Sequence, residues 1–476
     1  MILIQIDPKT DLSLSRQIYL QIRSQILNGT LAAGFRLPGS RELAADLQVA
    51  RNTVLTAYEL LMAEGFISGQ HGSGTYVAAD ASLDATTPPA TAPTIPVPDN
   101  NPPAPGQIDF RSGIPAIDQF QSQPWIQANR IVWQNASVAA LGYGAPAGQI
   151  QLRELICGML RRNRGVICQP EQLLITSGSV QGLALVAKAL VSRVAQVIVE
   201  DPANQDIARI FADPVVPTIP VAVDQNGLMV EALTEFTGPS LIVITPSHQF
   251  PLGSILPINR RVGLIRHARD SKSWIIEDDY DSEFRYDGPP LSAVQGLDPE
   301  RVIYLGTFSK TLFPSLRLGY MVLPRALAEA FGRLKKLTDI HCHSLNQLVL
   351  AELLVNGYVE RHVFRMKKLY RQRRDCLIRT LQTSFPDQVR VSGASTGLHL
   401  IAEFEGIEFD PALVERCRAA GVVVYPVENY AVRNGLHRHK LVLGYGHLNE
   451  TRIQEGIHRL KRVIATDPDS RPLHIP

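Results

Sequence analysis

Apolar and polar positions along this chain change period several times, and each change marks an element. In LSRQIYLQIRSQILNG (14–29), Ile18, Ile22 and Ile26 fall one helical turn apart and Gly29 closes the run, which predicts an amphipathic helix. Ser40 stands at an N-cap position ahead of RELAADLQ, where Leu43 and Leu47 are four apart, so a second, short helix is expected. In VARNTVLTAYELLMAEG, Val54, Tyr58 and Leu61 form an apolar stripe behind an N-terminal turn of Arg51, Asn52 and Thr53, and this is the third helix. FISGQHGSGTYVA then predicts two short strands around Gly69, Gly72 and Gly74. Three helices followed by a glycine-rich hairpin have the order of a winged helix-turn-helix. The third helix would present its first residues to base edges, and the hairpin would lie on phosphate or minor groove.

Beyond residue 107 the pattern is different. Short apolar runs, LLIT, QVIVED, LIVIT, WIIEDD and RVIYLG, are mostly separated by stretches of helical period, and each ends in polar residues. That alternation predicts a doubly wound α/β domain with its ligand at the carboxyl ends of the strands. Between the two patterns, residues 80–107 hold eight prolines and no aromatic residue, a composition that favours extended segments unable to pack a core. The expected organisation is a winged helix-turn-helix over 1–79, a linker over 80–107 and a large α/β domain over 108–476.

Composition adds constraints. The chain has 476 residues, 45% apolar and 19% charged, which is an ordinary globular balance with material for two or more cores. Its five cysteines are scattered without C-x-x-C spacing, which argues against a disulfide framework or zinc ribbon and for a reducing compartment. No apolar stretch approaches the roughly 18 residues of a membrane helix, so a cytoplasmic protein with no membrane partner is expected. The net charge of +2 says little about partners. Residues 1–80 carry six Lys or Arg against seven Asp or Glu, so the head is not basic overall, although Arg36, Arg41 and Arg51 fall on the segment expected to face DNA.

Three stretches carry candidate chemistry. LLITSGSVQGLALVAKAL runs from a strand through Ser177-Gly178-Ser179 into a helix, whose free N–H groups and positive end suit a phosphate. In WIIEDDYDSEFRY, Asp278 and Tyr280 are two apart at a strand end, so a carboxylate and a phenol share one face. In GTFSKTLFPSLRLGY, Thr307, Ser309 and Arg317 surround Lys310. A desolvated lysine near another cation keeps part of its amine neutral and can join an aldehyde as a Schiff base. An aldehyde, a protonated ring nitrogen, a ring hydroxyl and a phosphate together describe pyridoxal 5'-phosphate. No metal site is expected: His341, Cys342 and His343 in DIHCHS are adjacent and read as loop residues. The eight basic groups of RHVFRMKKLYRQRRDCLIR read as a solvated helix face.

The head resembles the winged helix of the GntR family of bacterial regulators, through RLPGSRELAADLQVARNTVLTAYELLMAEG and GSGTYV. That resemblance implies that Arg36, Ser40, Arg41, Arg51, Asn52, Thr53, His71 and Gly72 lie at or near DNA. The body is similar to the fold-type I aminotransferases through GYGAPAGQIQLRELI, TSGSVQGL, FPLG, EDDYDSEF and GTFSKTLFPSLRLGY. By that likeness Lys310 would be the Schiff-base lysine, Asp278 the partner of the ring nitrogen and Tyr280 the contact to the ring hydroxyl. Ser179, Ser309 and Arg317 would bind the phosphate, with Val180 and Thr307 beside them, and Tyr143 would reach across a homodimer to the partner's cofactor. The whole chain resembles the MocR-type regulators, which use the aminotransferase fold to sense a ligand.

The chain also departs from the working enzymes it resembles. Phe250 precedes Pro251 where they carry an asparagine, and Ala203-Asn204 follow Asp-Pro where a glycine and a stacking aromatic are usual. Lys440, with Arg438 two residues before it, stands near the position of their carboxylate-binding arginine. The expected function is therefore a pyridoxal phosphate-dependent, DNA-binding transcription regulator that senses an amino acid, an amine or the cofactor itself, and not an enzyme. An aminotransferase with an accessory DNA-binding head is the alternative.

Overall fold

A computed structural model describes residues 2–7, 10–70, 74–79, 81 and 104–466. His71 and Gly72, with most of 80–107, lie outside the described residues. The chain divides into two compact units, 1–101 and 102–476.

The first unit runs α1 (Leu14–Leu27), β1 (Arg36–Leu37), α2 (Ser40–Asp46), α3 (Arg51–Ala63), β2 (Ile67–Gln70) and β3 (Gly74–Val77). Ile18, Ile22 and Ile26 of α1 join Leu43 of α2 and Val54, Tyr58 and Leu61 of α3 in one buried cluster. Residues four apart on a helix share a face, so the sequence period became the packing surface. The Tyr58 hydroxyl donates to the Pro38 carbonyl at 2.8 Å, tying α3 to the turn before α2. The start of α2 corrects the sequence expectation: Gly39 is the cap and Ser40 the first helical residue. The Glu42 carboxylate reaches back to the Gly39 N–H at 3.2 Å. Ser40 Oγ instead accepts from Arg51 Nε at 3.4 Å, joining the starts of α2 and α3. The hairpin forms as expected, Ile67 opposite Val77 and Gln70 opposite Gly74. β1 adds to it as a third strand, with Arg36 opposite Tyr76. At two residues, β1 is too short to leave a period in the sequence.

The second unit begins with β4 (Ile108–Asp109), followed by β5 (Leu173–Thr176), β6 (Gln196–Asp201), β7 (Thr218–Asp224) and β8 (Gly227–Leu228). Next come β9 (Ser240–Ile244), β10 (Trp274–Asp279), β11 (Val302–Thr307) and β12 (Gly319–Val322). β5 to β12 form one eight-stranded sheet in the order β5-β12-β11-β10-β9-β6-β7-β8. The neighbours β11, β10, β9, β6 and β7 are parallel. β12 lies antiparallel between β11 and β5. Every expected strand is present; β5, β6, β9 and β11 are buried along their whole length and β10 at four of its six residues, and this explains why they read as continuous apolar runs. β12 reverses direction but leaves β5 parallel to β11, so the carboxyl ends of β5, β6, β9, β10 and β11 share one edge.

A second layer follows with β13 (Val389–Ser392), β14 (His399–Phe404), β15 (Val422–Val423), β16 (Tyr425–Pro426) and β17 (Lys440–Gly444). Four of these make an antiparallel sheet, β13-β14-β17-β16, and β15 pairs with β4. The helix Tyr358–Ser384 packs here through Met366, Tyr370, Leu377 and Leu381. Of its basic run, Arg361, Lys368, Arg371 and Arg379 are exposed, as a solvated face requires, and the others are drawn in to different degrees. Arg373 is buried and donates to the Gly446 carbonyl, and Arg374 lies over the Tyr286 ring at 4.7 Å. Basic residues at helical spacing here anchor loops as well as face water.

Ile22 is fully enclosed in the core of the first unit. Ile22→Ala is expected to cost that unit about 2–5 kcal/mol through the cavity it leaves. Calorimetry of the full chain should show the lower-temperature transition fall while that of the second unit holds.

Candidate functional site

The shared strand edge gathers the chemistry. Lys310 follows β11, and its Nζ donates to the Gly113 carbonyl at 2.6 Å. Burial pulls its pKa below the usual 10.5, against the raising effect of Asp281 and Asp278, and the nearby Arg317 adds to the lowering. Asp278, the last residue but one of β10, lies on the same side. Its Oδ1 is enclosed and finds no hydrogen-bond partner among the described residues. Burial first, and then the neighbouring Asp279, pushes its pKa up to about 7, with Lys310 pulling the other way. Asp279 itself faces the other way into a structural cluster, paired with Arg164 at 2.8 Å.

Arg317 is held with φ 51°, in the left-handed region, at the end of a short turn. That brings its guanidinium against Gly178, where an added Cβ would sit 3.3 Å from Nη2. Gly178 has φ 113° and caps the helix Ser179–Leu190. Gly319 lies so close that its own Cβ would meet Gly178 Cα at 2.8 Å. The helix start is thus pressed onto β12 with a cation beside it. The first-turn amides of Ser179 and Val180 have no helical carbonyl partner, so they and Arg317 form a cradle for an anion. Thr307 Oγ1 accepts from the Ser309 N–H at 3.1 Å, and Ser309 is buried in the turn that carries Lys310.

Tyr280 lies one residue past β10. Its hydroxyl donates to the His248 carbonyl at 2.9 Å and lies 3.2 Å from His248 Nδ1. Burial, then the Asp281 charge, raises its pKa well above 10.0. Phe250 meets the Tyr280 ring edge-on at 6.3 Å between centroids. Glu200, on β6, accepts from Thr245 and is pushed to about 7 by burial. Tyr143 is exposed, with only a T-shaped contact to His341 at 6.3 Å among its ring contacts. The structure therefore brings together Lys310, Asp278, Tyr280, Arg317, Ser179, Val180, Thr307 and Ser309, and leaves Tyr143 outward. Lys440 and Arg438 are paired with Glu403 at 3.6 Å and Glu408 at 3.7 Å. His343 caps the helix Ser344–Val355, accepting from the Asn346 N–H at 3.2 Å, in agreement with its reading as a loop residue.

In the first unit Arg36, Arg41, Arg51 and Asn52 are exposed, and Ser40 and Thr53 are partly so. Arg51 and Asn52 open α3, whose inner face is occupied by the core.

Comparisons with known proteins bear on both units. The model of the bacterial regulatory proteins of the gntR family matches residues 14–77, and that of aminotransferase class I and II matches 105–459. An uncharacterized HTH-type transcriptional regulator of Bacillus subtilis, YdeL, is 35% identical over 95% of this chain and 96% of its own. The probable rhizopine catabolism regulatory protein MocR of Rhizobium meliloti is 33% identical over 96% and 94%. This chain belongs to the MocR-type regulators of the GntR family. Its second unit has the fold of an enzyme. The kynurenine aminotransferase of Pyrococcus horikoshii, solved with PMP, superposes with a TM-score of 0.69 at 28% identity, over 76% of this chain and 91% of that one. An α-aminoadipate aminotransferase of Thermus thermophilus, complexed with a phosphopyridoxyl-leucine, gives 0.68 at 27%, over 75% and 92%.

Sequence reasoning missed several groups in this MocR-type pocket. Gly113 is 197 residues from Lys310, and a carbonyl partner leaves no residue-type signal. His248 lies just before FPLG and Asp281 within EDDYDSEF, but a buried pair 33 residues apart shows itself only in the fold.

His399, on β14, donates from Nε2 to the Pro251 carbonyl at 2.9 Å. Burial, with His248 beside it, lowers its pKa from 6.5 to about 3. The unfolded chain takes this proton first, so the histidine's support for the fold is complete above 6.5 and is lost as pH falls toward 3. Urea unfolding across that window should show the stability lead of the parent over His399→Gln shrinking as pH falls.

Proposed function

We propose that this chain is a transcription regulator that grips DNA with its first unit and holds pyridoxal 5'-phosphate in its second. The observation that carries the second half is the pairing of a part-buried, pKa-lowered Lys310 amine with an enclosed Asp278 oxygen that has no protein partner among the described residues. Such an oxygen costs free energy unless a donor arrives, and a protonated ring nitrogen is that donor. The residues fit the cofactor at its other positions too. Lys310 would hold the aldehyde covalently, Tyr280 would face the ring hydroxyl, and Ser179, Val180, Ser309 and Arg317 would cradle the phosphate, with Thr307 fixing their turn. When bound, the cofactor supplies a reversible attachment point for primary amines. An amine, an amino acid or the cofactor itself is therefore the class of signal this pocket suits.

Arg36, Ser40, Arg41, Arg51, Asn52 and Thr53 would make the DNA contacts, with the wing residues His71 and Gly72. The exposed run Val138, Leu141 and Tyr143 favours a homodimer in which Tyr143 meets the partner's cofactor. Two heads on one dimer raise each other's effective concentration, which offsets the lack of net positive charge in each and suits paired half-sites. Ligand binding would act by shifting the body between conformations that present the heads differently. A cytoplasmic location suits five buried, free cysteines. No helix among the described residues is long and apolar enough to cross a membrane.

Transamination is the second reading, favoured by the retained lysine and acid. Against it, Phe250 brings a ring without a hydrogen-bonding group to the side of Tyr280. Asn204 stands where a stacking aromatic is usual after Asp201-Pro202, a loss of about 1 kcal/mol in stacking.

Mixing the full chain with pyridoxal phosphate is expected to produce a visible absorption band that Lys310→Ala abolishes. An unchanged spectrum in the variant removes the covalent claim, and rapid turnover of an amino acid with a keto acid favours the enzyme. Arg51→Ala is expected to weaken binding to the chain's own upstream DNA by about 1–3 kcal/mol in a salt-controlled titration.

A further inference from the structure

His248 holds no part of the cofactor in the reading above, yet it is the histidine most tightly built into the pocket. It lies on the loop after β9 and is 2% exposed. Its Nδ1 faces both oxygens of Asp281, at 2.9 and 3.1 Å. Its Nε2 faces the Gly393 carbonyl at 3.2 Å. A carboxylate and a carbonyl only accept, so satisfying both ring edges takes two protons, which makes the ring an imidazolium. Burial opposes that charge, and the Asp281 carboxylate outweighs it, so the pKa is raised. The ligating atoms of His248, Asp281 and His399 lie within 4.8 Å of one another. A doubly protonated ring, however, has no lone pair for a metal.

The pair also joins two layers. Asp281 and Tyr280 follow β10 of the large sheet, whereas Gly393 belongs to the connection from β13 to β14 in the second sheet. Gly397, in the same connection, has φ 81°, and any Cβ there would strike the Asp281 carboxylate and the His248 ring. The His399 ring of β14 lies tilted against His248, at 4.6 Å between centroids and 33° between planes. The Tyr280 hydroxyl rests on the same histidine, on its carbonyl at 2.9 Å and its Nδ1 at 3.2 Å. The other charged groups around Tyr280 are Asp278, Asp279 and Glu200, and Lys310 faces Asp281 and Asp278.

We propose that His248, clamped between Asp281 and Gly393, is a positioning residue that aims the Tyr280 phenol and couples it to the 393–397 segment of the second sheet. The inference rests on the reading that Tyr280 faces the cofactor's ring hydroxyl. A phenol that turns its proton to a bound ring oxygen gives up its bond to the His248 carbonyl, and the change is passed through the ring to Gly393. The fixed cation also favours the ring oxygen as an anion, so the proton on the Lys310-linked nitrogen is held less tightly.

The test uses the full chain, with pyridoxal phosphate as the probe. His248→Gln is expected to keep the visible band, because Lys310 is intact. It leaves Asp281 uncompensated, so the pH midpoint of that band should rise by about one unit or more. Asp281→Asn removes the opposite charge and should not raise it. Hydrogen–deuterium exchange should show a change over 393–397 on adding pyridoxal phosphate to the parent and none in His248→Gln. Should that variant fail to fold, Tyr280→Phe carries the test, and it too should lose the exchange change. A parent with no visible band overturns the cofactor reading and this one with it. A parent with the band, and variants that titrate and exchange as it does, overturns this one alone. Stoichiometric zinc in the purified protein overturns the imidazolium assignment.

Discussion

An amine stays in a protein interior only when fixed groups replace the water it has lost, and for Lys310 two separate segments supply them. The Gly113 carbonyl comes from the chain just past β4, which is anchored by pairing with β15 far along the sequence. Asp278 and Asp281 come from the end of β10. Arg317, held beside Gly178, pulls in the other direction. Acids that stabilise the charged amine are thus balanced by burial and a cation that destabilise it.

How much of this could be read from the sequence depended on distance along the chain. The five strands, the Ser-Gly-Ser helix start and the lysine between hydroxyls are local patterns, and the fold placed them as their periods implied. The antiparallel β12 was hidden inside the stretch around Lys310, since a four-residue strand among glycines and leucines has no clear alternation. The pairs that decide the chemistry of the pocket, Lys310 with Gly113 and His248 with Asp281, join residues that only the fold brings near. The start of α2 shows the same limit on a smaller scale. Ser40 has the right chemistry for a cap, but Glu42 satisfies the Gly39 N–H and the serine hydroxyl serves Arg51 instead.

The two units use charge differently. In the first, acidic residues outnumber basic ones, but Arg36, Arg41, Arg51 and Asn52 stand together at exposed positions on β1 and at the starts of α2 and α3. Position matters there, not sum. In the second, Arg164, Arg261 and Arg373 are drawn inside, where each donates to main-chain carbonyls of neighbouring loops. These guanidiniums act as braces, and Arg373 is the one member of its basic run that is buried.

Glu200 and Asp278, near the ends of β6 and β10, are each pushed to about 7 by burial. Near neutrality the second unit therefore carries a partly filled set of exchangeable protons around its strand edge. Any charged molecule that settles there will shift that filling and trade hydrogen ions with the medium. Heats of association recorded in two buffers of different ionisation enthalpy will then disagree, and the size of the disagreement counts the protons moved.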